Sequence, residues 1–124
     1  MALHGTSTGE LDVKSPAVKF FKALTDDING AFDKLAEEKL SESIDWEKRT
    51  MTMRMSGCLI SKIYKTVKVT ITVTPKEDKN RSKVVWTVES EKIRHDIKDP
   101  HFIIKTLIDV LINYLKETDG NLLL

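Results

Sequence analysis

The chain has 124 residues, of which 31% are charged and 40% hydrophobic, and its formal net charge is +1. That length fits one domain over residues 1–124 with a core that needs no staples, and so balanced a surface excludes a strongly basic nucleic-acid binder. Cys58 is the only cysteine, which rules out an intramolecular disulfide and a cysteine-based zinc site and fits a reducing compartment.

MALHGTSTGE at the start has no basic region followed by an apolar run, so no signal peptide is expected. No apolar run approaches the about 20 residues of a membrane span. A soluble, cytoplasmic protein is the expectation, and the same features fit a nuclear one.

Gly9 to Lys14 reads as a first strand, with Leu11 and Val13 alternating with Glu10 and Asp12. Ser15-Pro16 reads as an N-cap and a first-turn proline. Ala17, Phe20, Phe21 and Leu24 follow at helical spacing, Asn29-Gly30 breaks the pattern, and Phe32 and Leu35 suit a second short helix.

From Glu37 the period becomes two. Leu40 and Ile44 alternate with Ser41, Ser43 and Asp45, and Asp45–Lys48 reads as a turn that carries Trp46. Met51, Met53 and Met55 alternate with Thr50, Thr52 and Arg54, and Ser56-Gly57 ends the strand. Val67, Val69, Ile71 and Val73 alternate with Lys68, Thr70, Thr72 and Thr74, the clearest strand signal. After a polar turn from Pro75 to Arg81, Val84, Trp86 and Val88 alternate with Val85, Thr87, Glu89 and Glu91. The glutamates belong in water, so Trp86 belongs inside.

Asp99 to Thr118 is helical: Phe102, Ile103, Ile104, Leu107, Ile108, Val110, Leu111, Ile112, Tyr114 and Leu115 leave only the stripe Lys105, Asp109, Asn113 and Glu117 polar. Asp99 serves as cap, Pro100 suits the first turn and Gly120 suits the stop. So wide an apolar face must be wrapped by something concave. The expected architecture is α+β: a strand, a helix, four antiparallel strands and a long helix, with the curved sheet gripping that helix.

The stretch VTPKEDKNRSKVVWTVESEKIRHDIKDPH, Val73 to His101, resembles the corresponding stretch of the plant major latex proteins, in the birch-pollen-allergen superfamily of helix-grip folds. There a strand ends in V-T-P-K, a W-T strand ends in E-K, and D-x-x-D-P leads into the final helix. SPAVKFF (Ser15–Phe21) resembles the family's first helix start, and Gly57 with Tyr64-Lys65 its G…Y-K segment. The resemblance implies a helix-grip fold and binding of apolar or amphipathic small molecules under the long helix, in plant defence or stress responses. Typical members carry two more strands joined by a glycine-rich loop between the first helices and the strand at Glu37. In that stretch of this chain Gly30 stands alone, so the sequence resembles a shortened member with strands two and three and that loop missing.

The cavity expected between sheet and helix is lined by Met51, Met53, Met55, Val69, Ile71, Val84, Trp86, Val88, Ile104, Leu107, Ile108 and Leu111. Methionines make adaptable, polarizable walls. Any one of these side chains taken alone is explained as core.

Other constellations are weaker. His95, Asp96, Asp99 and His101 offer two imidazoles and carboxylates to a metal, but a helix cap and a solvated lead-in explain them better. Cys58 has no histidine near it in sequence to activate it as a nucleophile. Glu10, Asp12, Glu89 and Glu91 fall on the polar side of their strands, a solvated face rather than paired acid and base. Lys62, Tyr64, Lys65 and Lys68 offer RNA charge and a stacking ring, against an even overall charge balance. No catalytic residue, metal or cofactor is expected.

The leading reading is a non-enzymatic carrier or sensor of a small apolar ligand, a monomer or weak homodimer without a nucleic-acid partner or a membrane span. The alternative is an interaction module, self-associating or recruiting a partner through the sheet edge that the shortened fold leaves open. An enzyme of condensation or ribonuclease type ranks third.

Overall fold

A computed structural model describes residues 4–32, 38–56, 64–77, 80–93 and 102–124. In chain order these form β1 (His4–Val13), α1 (Ala17–Ala31), β2 (Glu38–Asp45), β3 (Thr50–Ser56), β4 (Tyr64–Pro75), β5 (Ser82–Lys92) and α2 (Phe102–Leu122). The order is the one that the periodicities predict. All pairs in the five-stranded sheet are antiparallel, in the order β1-β5-β4-β3-β2. The first strand thus crosses over to pair with the last.

Alternation decides the sheet's two faces. Met51, Met53, Met55, Val67, Val69, Ile71, Val73, Val84, Trp86 and Val88 are all buried on the inner one. They share a single core with Leu107, Leu111 and Leu115 of α2 and with Ala17, Phe20, Phe21, Leu24 and Ile28 of α1. The leucines recur every four residues, which stacks them along one side of α2. Lys105, Asp109, Asn113 and Glu117 form the exposed stripe opposite. This is the helix-grip arrangement.

Local signals misplace several boundaries. α1 runs through Asn29-Gly30 to Ala31, and α2 runs through Gly120 to Leu122. Tertiary burial of Ile28 and Phe32 in the one case, and of Leu115 and Thr118 in the other, overrides glycine's weak helix propensity. Ser15 stands one residue before the cap position, because the first helical bond runs from Phe20 N–H to the Pro16 carbonyl; its hydroxyl donates to Asp119 Oδ1 at 2.6 Å. The Asp99 cap and Pro100 lie outside the described residues, as does Leu35.

The even alternation of β2 is interrupted. A register shift between Ser41 and Ser43 leaves Glu42 as an extra residue, pairing Leu40 with Arg54 but Ile44 with Met51. The turn that follows is closed by Asp45, whose Oδ1 accepts the Lys48 N–H at 3.0 Å. Its last residue, Arg49, has φ of 49°, the left-handed region. Two bonds to β4 hold it there: its Nε donates to the Val73 carbonyl at 3.0 Å and its carbonyl accepts the Val73 N–H at 2.9 Å.

Candidate functional site

Antiparallel register sets the inner face in rows. Ile44, Met51, Ile71, Trp86 and Gly9 are successive partners across all five strands. Met53, Val69, Val88 and Ser7 form the next row, and Met55, Val67 and Ser90 the one after. Above them lie Leu107 and Leu111, fully buried, and Ile104 and Ile108, partly buried. All twelve residues expected to line an interior site therefore belong to, or pack on, one core. The sheet supplies thioethers and branched aliphatics, and the helix supplies aliphatics.

Trp86 stands out in this surface. It is 7% exposed, and its six-membered ring lies directly over Gly9. A Cβ at position 9 would collide with Cζ2, Cη2 and Cε2 of the indole. A glycine isolated within a strand pattern is the signal for such a close approach. Trp86 Nε1 is buried without a hydrogen-bond partner among the described residues. An orphaned buried donor costs about 1–3 kcal/mol.

Trp46 is more than a bystander in its turn. Although 56% exposed, its ring meets that of Phe21 edge-on, with centroids 5.1 Å apart and planes at 86°. It therefore ties the β2–β3 turn to α1.

Polar groups of the sheet gather on its outer face. Lys83 Nζ reaches Glu10 Oε2 at 2.9 Å and Lys76 Nζ reaches Asp12 Oδ1 at 3.0 Å. The hydrogen bond and charge of Glu10 hold the Lys83 amine above its ordinary pKa, so it stays protonated. Thr8, Thr87, Thr70 and Thr52 follow one another in register across four strands. Two clefts among the described residues are lined by Arg54, Thr66, Lys68, Glu89, Ser90 and Glu91, with a volume of about 210 Å³, and by Pro75, Lys76, Glu77 and Arg81. Neither includes a methionine of β3 or a leucine of α2.

Tyr64 is buried at the start of β4, so its ring is not available for stacking on RNA. Cys58, Lys62 and the His95, Asp96, Asp99 and His101 group lie outside the described residues. Among the described residues, no three His, Cys, Asp or Glu are grouped to hold a metal ion, and no helix is long and apolar enough to cross a membrane. Sequence reading missed the set formed by Ser15, Ser82 and Asp119. Ser82 Oγ donates to the buried Ser15 carbonyl at 2.7 Å, and Asp119 also accepts the Lys14 N–H, at 3.0 and 3.1 Å. Three common polar residues far apart in the chain leave no local pattern to find.

A sheet closed over one long helix, with an aliphatic and thioether interior, defines the helix-grip class. Residues 34–124 match the pathogenesis-related protein Bet v 1 family, and the chain belongs to that family. It is 42% identical over 123 residues to the Arabidopsis thaliana protein At1g24000, covering 99% of this chain and 97% of that one. It is 34% identical to MLP-like protein 423 of Arabidopsis thaliana, covering 99% and 97% of the two chains. That second alignment runs over 157 positions, more than the 124 residues present here, so the longer relative carries insertions. Among solved structures, Ara h 8.0201 superposes with a TM-score of 0.77 at 16% identity, covering 97% of this chain and 98% of that one. The Arabidopsis thaliana major latex family protein At1g70830 gives 0.70 at 23% identity, covering 98% and 95%.

Proposed function

We propose that this protein binds a small apolar or amphipathic molecule between the inner face of the sheet and α2, and carries or senses it without altering it. The observation that carries the reading is the in-register block Met51, Met53 and Met55 with Val69, Ile71, Val88 and Trp86, buried beneath Leu107 and Leu111. Flexible thioethers repack around ligands of differing shape, and burying ligand surface contributes about 25 cal/mol per Å² before ordering costs. A non-catalytic role fits the placement of Glu10 and Asp12, which are tied to lysines on the far side of the sheet. The family resemblance supports a role in plant defence or stress responses, the lone thiol of Cys58 supports a cytoplasmic place, and the chain acts as a monomer or weak homodimer.

Trp46→Phe leaves Trp86 as the only indole. In that variant, long-chain or aromatic apolar compounds should shift Trp86 emission saturably. Leu107→Trp should fill the space from the helix side and abolish the shift at modest cost in stability. If no compound class perturbs Trp86 and Leu107→Trp is strongly destabilising, the interior is simply packed.

A second reading rests on β2, an edge strand that pairs only with β3 among the described residues. An open edge recruits another strand, though the bulge at Glu42 and the charges of β2 oppose this. Concentration-dependent association that is lost with Ser43→Pro would favour it over the carrier.

A further inference from the structure

The Trp86 indole carries an inference about the ligand itself, and it rests on the binding reading above. Nε1 is the one buried side-chain polar atom without a hydrogen-bond partner among the described residues. The neighbours of Trp86 in its row are Ile71 and Gly9, with Met51 beyond, and a thioether is a weak acceptor. A bridging water needs two to four polar partners, which this row does not offer. The ring's place is set by Gly9, the only residue type that leaves it room. Phenylalanine would fill an apolar wall here with no donor to satisfy, so the N–H is the feature that needs a use.

We propose that the interior ligand carries a hydrogen-bond acceptor on an otherwise apolar skeleton, and that Trp86 Nε1–H donates to it. The acceptor is a neutral oxygen, such as a ketone carbonyl, rather than a carboxylate. One donor in aliphatic surroundings does not offset the desolvation of a charge.

Three compounds sharing an undecyl chain separate the possibilities: methyl undecyl ketone, its analogue with C=CH2 in place of C=O, and dodecanoic acid. Acetylnaphthalene, isopropenylnaphthalene and naphthoic acid form a second, aromatic set. The probe is the Trp86 indole N–H proton resonance in the Trp46→Phe protein, with affinities from the same titrations. Expected is a saturable downfield shift with the ketone, none with the alkene, and binding of the ketone about tenfold tighter than either alkene or acid at neutral pH. Trp86→Phe should bring ketone and alkene to equal affinity. If that variant does not fold, the shift in the parent protein still decides. Equal binding of ketone and alkene with an unmoved N–H overturns the acceptor and leaves the binding reading standing. Tighter binding of the acid overturns its neutrality. Failure of every compound in both sets overturns the binding reading and this inference together.

Discussion

The Ser15 hydroxyl donates to Asp119 Oδ1 across 2.6 Å, joining the entrance of α1 to the end of α2 over 104 residues of chain. The Lys14 N–H adds two contacts to the same carboxylate, and the Ser15 carbonyl accepts from Ser82 at the start of β5. Asp119→Ala leaves an N–H and a buried hydroxyl without their acceptor. It should cost about 2–3 kcal/mol, read as a lower urea midpoint at unchanged slope. Asp119→Asn should lose less, since its amide oxygen still accepts. A midpoint within error of the parent for the alanine variant would show that the contact contributes nothing.

Gly9→Ala should be among the most disruptive single-methyl additions, because the new Cβ meets the indole of Trp86. Overpacking of this kind costs about 1–3 kcal/mol. A smaller ring should relieve it, so Gly9→Ala combined with Trp86→Phe should lose less than the two single changes added together. Strict additivity in thermal or urea melts would mean that the ring moves aside freely.

Gly30 and Gly120 behave in the opposite sense. Both lie within helices, and a Cβ at either meets nothing within 4 Å. Gly30→Ala and Gly120→Ala should each stabilise by up to about 1 kcal/mol, the lower end applying near a fraying terminus. Loss of stability at either position would place an unseen constraint there.

Leu111→Asp puts a carboxylate at a fully buried position on the gripped side of α2. An unpaired buried charge costs several kcal/mol, comparable to the whole stability of a small domain. Circular dichroism should show loss of the cooperative melt. A parent-like melt would place Leu111 at the surface.

Periodicity carries the architecture here because each strand has a buried and a wet face, and a period-two pattern with Thr70, Thr72 and Thr74 outside reads without ambiguity. The burial of Trp86 follows from the glutamates that alternate with it. What escapes local reading is decided by distant residues. His4 to Thr8 are too polar and small to announce a strand, and they become one by pairing with Thr87 to Glu91. Gly30 and Gly120 look like stops, yet the burial of neighbouring Phe32 and Thr118 carries both helices through. Leu40 and Ile44 look evenly spaced along one strand until the extra residue at Glu42 shifts the register between them. The twelve interior residues are legible as apolar positions. Nothing local says that Trp86 needs Gly9 opposite it, or that its N–H has no partner among the described residues.

Asp119 fastens α2 three residues before its last one, to the Lys14 N–H and the Ser15 hydroxyl. A stiff rod with a polar clamp near one end moves least at the clamp. At about 1.5 Å per residue, Phe102 stands roughly 25 Å from Asp119, so a rotation of about ten degrees carries that end through about 4 Å while Thr118 hardly moves. The leverage is therefore unequal along the helix: a given rotation displaces Ile104 and Leu107 more than Leu115.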